Sequence, residues 1–79
     1  MHYVYALKSE THNFIYVGIT DNLPRRVKQH NAGWNKSTKH YKSFRLIYYE
    51  VAPDKPSARK REKYWKNASG KRKLKSMTL

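Results

Sequence analysis

The sequence predicts an α+β domain with the element order β-β-α-β-α-α. Two runs of β-branched and aromatic residues open the chain and a third lies in its middle, a composition typical of strands. The segments that follow the second and third runs carry apolar residues at helical spacing behind capping side chains. A length of 79 residues leaves room for one domain, residues 1–79, and for a shallow surface cleft rather than a large internal cavity.

The first two strands form a predicted hairpin. Residues 2–8 and 14–19 are the two apolar runs, separated by a polar break that predicts a loop of four or five residues. Side chains alternate between the two faces of a strand. Tyr5 therefore belongs to one face of the first strand, and Tyr16 and Gly18 share one face of the second.

The first helix follows directly. Residues 20–22 offer capping side chains, Pro24 suits a first helical turn, and Gly33 predicts an end near residue 31 or 32. Leu23 defines the start of an apolar stripe along this helix. Arg26 and His30 are one turn apart and border the same stripe.

The second half of the chain contains a loop, a strand and two helices. Residues 34–43 are polar and basic and predict an exposed loop, and residues 44–50 predict the third strand. Prolines 53 and 56 bracket a predicted turn before a helix over residues 57–67, whose inward face carries Ala58, Glu62 and Trp65. A break at Ser69-Gly70 then precedes a short basic helix, with Leu74 and Met77 expected to pack inward.

The charge of the chain indicates a polyanionic partner. Eighteen Lys and Arg residues against five Asp and Glu residues give a formal net charge of +13. Such an excess favours nucleic acid first and an anionic membrane second, and a merely solubilising basic surface is the simpler alternative. Seven interleaved tyrosines favour nucleic acid over a membrane.

Cysteine usage and hydropathy narrow the setting. The sequence has no cysteine, which excludes disulfides and Cys-based zinc sites and agrees with a reducing compartment. The first strand begins at the initiator methionine, which leaves no room for a signal peptide, and no apolar run approaches the ~20 residues that span a bilayer. We therefore expect a cytoplasmic protein that does not bind membranes.

Glu62 is the single residue that best distinguishes between the possible functions. It is the only acid between Lys55 and Leu79, and its helical face points toward the body of the protein. A partly buried carboxylate needs a cation. The cation is either a divalent metal, which nucleic-acid enzymes bind through a carboxylate, waters and a substrate phosphate, or a basic side chain such as Arg26. Spacing alone leaves both interpretations open.

Three other residue types carry possible chemistry. Arg26 suits a phosphate because a guanidinium matches phosphate oxygens, although a solvated helix arginine is the ordinary alternative. His30 suits proton transfer or water positioning, against an exposed or capping histidine. Tyr5 and Tyr16 are either core residues with hydrated hydroxyls or a base. A phenol has a pKa near ~10, so a base role requires Arg26, a metal or both to stabilise the phenolate.

The ordered series of motifs resembles the GIY-YIG nuclease superfamily, in particular its small stand-alone bacterial members, which are related to the nuclease domain of an excinuclease. The matching segments span most of the chain; they are Tyr3-Val4-Tyr5, Tyr16-Val17-Gly18, residues 23–31, residues 46–50 and residues 58–62. The resemblance implies a three-stranded antiparallel sheet flanked by helices. It also implies a divalent-metal-dependent endonuclease that hydrolyses DNA phosphodiester bonds.

The resemblance assigns a role to each site residue. Tyr5 becomes the general base or the residue that positions the water, with Tyr16 beside it. Arg26 binds the phosphate, His30 assists proton transfer, and Glu62 ligates one Mg²⁺ or Mn²⁺ ion. The residues expected to contact nucleic acid are Gly18, which permits close backbone approach, and Arg25, Lys28, Trp34, Lys36, Lys39, His40, Tyr41 and Lys42.

The chain departs from the family pattern at two positions. The leading glycine of the first motif is Tyr3, which is a tolerable substitution because the next two positions match. The family's late asparagine has no clear counterpart, because Asn67 lies only five residues after Glu62. This missing asparagine and the small size keep a non-catalytic nucleic-acid-binding module on the same fold as the alternative. As a nuclease, the chain is expected to act as a monomer without a small-molecule cofactor on single-stranded, branched or duplex DNA, selecting single strands or distorted structures with weak sequence preference. RNA is a third possibility, and DNA repair, DNA uptake and defence are all open as the cellular role.

Overall fold

A computed structural model of the protein describes residues 1–78, and it confirms the α+β class and the predicted element order. Leu79, the last residue of the predicted domain, lies outside the described part. The strands are β1 (His2–Ser9), β2 (Ile15–Thr20) and β3 (Phe44–Ala52); the helices are α1 (Leu23–Asn31), α2 (Lys55–Lys66) and α3 (Ala68–Ser76). A short 3₁₀ turn (Lys39–Tyr41) lies in the loop that was expected to lack regular structure.

The three strands form one antiparallel sheet in the order β2-β1-β3. The hairpin register places Tyr5 of β1 opposite Gly18 of β2, and Leu7 opposite Tyr16. The backbone N–H of Ser9 donates to the carbonyl of Phe14 at 2.9 Å and closes the hairpin. Because β2 is at the edge of the sheet, side chains on both of its faces lie next to the open edge.

Alternation along β1 builds two separate cores. Val4 and Ala6 face α2 and α3, where they pack with Trp65 and Leu74 among others. The other face carries a second cluster that includes Tyr5 and packs against α1; its members are Tyr5, Leu7, Leu23 and Phe44, with Tyr3, Phe14, Tyr16, Val27 and Tyr41 around them. The predicted alternation of the hairpin is therefore confirmed, and it determines which residues surround the tyrosines.

Side-chain caps determine where the first two helices begin. Asn22 accepts a hydrogen bond from the backbone N–H of Arg25 at 3.2 Å, as expected for the start of α1. Asp54 caps α2 by accepting from the N–H of Ser57 at 2.8 Å, so α2 begins at Lys55 instead of residue 57. Pro56 consequently lies in the first turn of α2, and the prediction that two prolines bracket a turn was wrong for Pro56.

The predicted break at Ser69-Gly70 was also wrong. Asn67 caps α3 by accepting from the N–H of Gly70 at 2.8 Å, and both residues of the expected break lie in the first turn of the helix. Gly70 is buried where α3 crosses the end of α2, and a Cβ there would lie 2.6 Å from Cα of Trp65. The glycine therefore permits close helix packing. Met77, expected inside, is 45% exposed because α3 ends before it.

A carboxylate on β3 holds α2 against the sheet. Glu50 accepts from Nε and Nη2 of Arg61 at 2.6 and 3.0 Å and from Nε1 of Trp65 at 2.9 Å. Tyr48 donates to the same carboxylate at 2.8 Å. These donors, with Arg61 first, lower the pKa of Glu50 to about 2 despite its partial burial. The ion pair orients α2, and with it Glu62.

Candidate active site

Gly18 brings the two predicted tyrosines together. The ring centroids of Tyr5 and Tyr16 are 6.2 Å apart, on the face of the sheet that α1 covers. A Cβ at position 18 would lie 2.7 Å from the hydroxyl oxygen of Tyr5 and 2.8 Å from Cε2 of Tyr16. The space left by the missing side chain is thus filled by the two phenols. Gly18 therefore makes room for the two phenols, and its contact with nucleic acid stays a prediction.

A chain of buried hydrogen bonds leads away from Tyr5. Its hydroxyl lies 2.9 Å from Nε2 of His30, and Nδ1 of His30 lies 3.0 Å from Oγ1 of Thr38. The Thr38 hydroxyl can donate to the carbonyl of Asn35 at 3.4 Å. Each ring nitrogen of His30 therefore has one hydroxyl partner, whichever of the two nitrogens carries the proton.

Burial keeps the first two members of this chain neutral. Tyr5 is 1% exposed, and burial raises its pKa to about 12, against the opposing effect of the Arg26 guanidinium beside it. His30 is fully buried, and burial together with the charge of Arg26 lowers its pKa to about 4. At neutral pH Tyr5 is therefore a phenol and His30 is an uncharged imidazole.

Arg26 lies next to both phenols. Contact with Tyr5 is the largest cause of its raised pKa, and Tyr16 adds to it. Its Nη1 donates to Oε1 of Gln29 at 3.1 Å, which orients the guanidinium from the same helix. Arg26 is half-buried, so it is both held in place and accessible. The structure thus brings four of the five predicted catalytic residues together: Tyr5, Tyr16, Arg26 and His30.

Glu62 does not contact these four residues. Its Oε2 pairs with Nζ of Lys66 at 3.2 Å, one turn later on α2. The ion-pair interpretation of Glu62 therefore describes the free protein, with Lys66 as the partner instead of Arg26. The carboxylate is still 22% exposed, and a surface pair of this kind contributes only about 0–1 kcal/mol, so it is easily exchanged.

The metal-binding side chains near Glu62 fit only a site in which one protein carboxylate holds the metal. Within residues 1–78, no three His, Asp or Glu side chains are placed to hold a metal ion together. One carboxylate oxygen with waters and a substrate phosphate is nevertheless a usual environment for Mg²⁺. The partly exposed carboxylate of Glu62 suits this arrangement, in which Lys66 is displaced and the phosphate completes the site.

A basic cleft adjoins Arg26. Its volume is about 460 Å³, and its cationic lining comes from α1 (Arg25 and Arg26) and from α2 (Lys55 and Arg59). His2, Gln29 and residues 19–21 complete its walls. Arg59 also lines the smaller cavity around Glu62, so it connects the Arg26 cleft with the carboxylate. We call this space the Arg26 cleft.

The residues expected to contact nucleic acid lie in different environments. Trp34 is 73% exposed and shares a shallow apolar surface with Arg25 and Lys28 on α1. The basic side chains of the 34–43 loop are all exposed; they are Lys36, Lys39, His40 and Lys42. Tyr41 differs, because its ring stacks on Phe14 with centroids 4.2 Å apart. The contact of Tyr41 with nucleic acid stays a prediction, with one face of the ring already covered by Phe14.

Sequence reasoning missed several residues that shape the site. Thr38 is fully buried, although it lies in a loop that was expected to be exposed, and nothing in its sequence neighbourhood signals a partner eight residues away. The open alternative of a basic partner for Glu62 did not single out Arg59 or Lys66. Their positions one turn before and one turn after Glu62 were a usable signal, since residues three or four apart share a helical face.

No helix in the described part of the chain is long and apolar enough to cross a membrane.

Comparison with known proteins agrees with this geometry. The sequence model of a family described as the GIY-YIG catalytic domain matches residues 1–75. A UPF0213 protein of Clostridium perfringens is 39% identical over 75 residues, which cover 94% of this chain and 80% of the relative. A UPF0213 protein of Staphylococcus haemolyticus is 40% identical over 77 residues, covering 94% of this chain and 90% of the relative.

A solved structure shares the fold. The solution NMR structure of a UPF0213 protein from Bacillus halodurans superimposes with a TM-score of 0.56 at 33% identity. The alignment covers 96% of this chain and 83% of that protein. The similarity therefore extends over the whole sheet and all three helices.

Proposed function

This chain belongs to the GIY-YIG nuclease family, and from that membership we propose that it is a divalent-metal-dependent endonuclease that hydrolyses DNA phosphodiester bonds. The observation that supports the proposal best is the convergence of Tyr5, Tyr16, Arg26 and His30 on one face of the sheet. The Arg26 cleft beside them offers a cationic path for a DNA strand.

Burial separates the roles of the two tyrosines. Tyr5 is closed off from solvent and holds its proton to a pKa of about 12, which makes it a poor base. Tyr16 is only half-buried, and it borders both Arg26 and an open cavity. We therefore assign the base to Tyr16 and treat Tyr5 as a positioning residue, which revises the expectation that Tyr5 is the base.

In this scheme, Arg26 binds the phosphate. Its guanidinium stays charged and donates to non-bridging oxygens of the phosphate. Tyr16 first gives its own proton to solvent, and the resulting phenolate takes a proton from the attacking water as the water oxygen bonds to phosphorus. The bond from phosphorus to the leaving sugar oxygen then breaks, and that oxygen takes a proton from solvent.

His30 and Glu62 act at the two ends of the site. His30 is buried and neutral, so it orients Tyr5 and does not carry a proton to substrate. Glu62 would hold the divalent metal, Mg²⁺ or Mn²⁺, which supplies Lewis-acid stabilisation of charge on the phosphate when bound. The same proposal includes a monomeric, cytoplasmic enzyme with weak sequence preference, acting on single-stranded, branched or duplex DNA.

A cleavage assay on labelled single-stranded, duplex and branched DNA tests the function. We expect cleavage with Mg²⁺ or Mn²⁺ and its loss with EDTA, with Glu62→Ala and with Arg26→Ala. Tyr16→Phe should lower cleavage by about a hundredfold or more, as removal of a general base does. Tyr5→Phe should retain more activity than Tyr16→Phe, and the reverse order would contradict the assignment of the base.

The Glu62–Lys66 ion pair favours a second candidate function, DNA binding without cleavage. Because Lys66 satisfies the carboxylate, the free protein needs no metal at this position. This function predicts metal-independent binding and no cleavage of any of the three DNA forms by the unmutated protein. Cleavage that depends on Glu62 would exclude it.

A further inference from the structure

A second basic cavity lies beyond Tyr16, away from the Arg26 cleft. Its volume is about 480 Å³, and its lining includes Ser37, Lys66 and Lys71 together with residues 14–17 of the β2 side. We call it the Lys66–Lys71 cavity. The Arg26 cleft is lined by residues 19–21 at the other end of β2. The two spaces therefore follow one another along the edge strand, with Gly18 and its two phenols between them.

Helix α2 runs along both spaces in the opposite direction. Its first turns contribute Lys55 and Arg59 to the Arg26 cleft, and its last residue, Lys66, lines the second cavity. Glu62 lies between these positions on the helix. Residues 55–66 of a helix span about 16 Å at 1.5 Å per residue, and residues 15–20 of a strand span a similar length at about 3.3 Å per residue. Positive side chains thus continue past the candidate reaction centre on both sides.

The two ammonium groups of the second cavity keep donors available for a ligand. Lys71 donates to the carbonyl of Ile15 at 2.9 Å, and an ammonium has three donors, so two are left. Lys66 is half exposed, and Glu62 is its ion-pair partner. Burial, then the charges of Lys66 and Lys75, lower the pKa of Lys71. An anion in the cavity would relieve this repulsion between like charges.

We propose that Lys66, Lys71 and Ser37 form a second phosphate subsite, which holds the sugar-phosphate backbone of the strand on the far side of the cleaved bond. The inference rests on the proposed function and adds the course of the substrate to it. The strand enters over Arg25 and Arg59, passes Arg26 and Tyr16, and leaves over the Lys66–Lys71 cavity. The binding of this strand then breaks the Glu62–Lys66 pair and frees the carboxylate.

The test is binding of a labelled single-stranded oligonucleotide of about 12 nucleotides, measured by fluorescence anisotropy in EDTA from about 50 to 300 mM salt. The variants are Lys66→Met and Lys71→Met, which keep the aliphatic stems. The matched control is Arg72→Met, which removes one exposed charge from α3 and lines neither space. Ser37→Glu adds a negative charge to the cavity from an exposed loop position and avoids the helices altogether.

Each phosphate contact to a single strand contributes about 0.7 to the slope of log affinity against log salt concentration. We expect Lys66→Met and Lys71→Met each to reduce the slope by about that amount, Arg72→Met to leave it unchanged, and Ser37→Glu to weaken binding. Equal slopes for the two cavity variants and the control, or unaltered binding by folded Ser37→Glu, would overturn the subsite. Because EDTA prevents metal-dependent cleavage, a negative cleavage assay would refute the nuclease while leaving these binding results to decide the subsite.

Discussion

Tyr5 and Tyr16 are neighbouring side chains of the same type, but their different surroundings suit them to different roles. The difference comes from the strand order β2-β1-β3, which puts Tyr5 on the central strand and Tyr16 on an edge strand. A central position closes Tyr5 under α1 and next to His30. An edge position leaves Tyr16 in reach of solvent and of two basic spaces.

His30 provides a pH prediction. Its pKa is about 4 in the folded protein and about 6.5 in an unfolded chain, so the unfolded state binds more protons between these values. The stability due to neutral His30 is fully present above pH 6.5 and is lost as the pH falls toward 4; its size is about 3 kcal/mol. NMR titration of the His30 ring should show no protonation above about pH 5 in the folded protein, with the urea-unfolded protein as the control. A folded midpoint near 6.5 would show that the ring is not shielded as described.

Thr38 provides a stability prediction. Thr38→Val keeps the shape of the side chain but removes the hydroxyl that bonds Nδ1 of His30, which leaves a buried ring nitrogen unpaired. We expect the free energy of unfolding to fall by about 1–3 kcal/mol, measured by urea denaturation. Thr11→Val, at an exposed position, is the matched control and should change it by about 0.5 kcal/mol or less. A Thr38→Val protein as stable as the control would show that the hydrogen-bond chain does not stabilise the site.

At the scale of helices and strands, the fold could be predicted from the sequence, but part of the site could not. The strands and α1 follow from local signals, such as alternation in the hairpin and the cap at Asn22. Tyr5, Tyr16, Arg26 and His30 were named because they belong to recognisable motifs on those elements. Helical spacing could have indicated the pair of Glu62 with Lys66, whereas the burial of Thr38 depends on how separate segments pack, which no local pattern reports. Gly70 shows the same limit, since a glycine that permits helix packing has the same sequence signal as one that ends a helix.

The crossing of α2 and α3 gives an element-scale prediction. Helix propensity favours alanine over glycine by about 1 kcal/mol, so Gly70→Ala would stabilise a free-standing helix. Here the added Cβ would collide with backbone atoms of Trp65, and we expect a loss of about 1–3 kcal/mol or more in urea denaturation. Ser69→Ala, exposed on the same turn, should be neutral or slightly stabilising. A gain in stability for Gly70→Ala would mean that the two helices are not in close contact.

The whole molecule carries a charge that no internal arrangement balances. Residues 1–78 contain three ion pairs between side chains, Arg25–Asp21, Arg61–Glu50 and Lys66–Glu62, against a net charge of +13 for the chain. The remaining cations repel one another and destabilise the compact state. The same field attracts a polyanion such as DNA from a distance. Salt weakens this attraction, because it shortens the distance over which the field acts.

Salt should therefore stabilise this protein. The Debye length falls from about 30 Å at 0.01 M to about 8 Å at 0.15 M, so self-repulsion weakens as salt is added. We expect the Tm measured by circular dichroism to rise across this range. A variant with Lys28, Lys60 and Lys63 changed to Gln should show a smaller rise, because less repulsion is left to screen. A Tm that falls with salt would mean that attractive pairs such as Arg61–Glu50 dominate.

The hydrogen-bond chain that begins at Tyr5 also ties the reaction centre to the loop before β3. It runs from the hydroxyl of Tyr5 through the ring of His30 to the hydroxyl of Thr38. All three side chains are buried, so no solvent molecule takes the place of a lost partner. The phenol beside the reaction centre is therefore held from a distant part of the sequence, and a substitution in the loop can misplace it without touching the cleft.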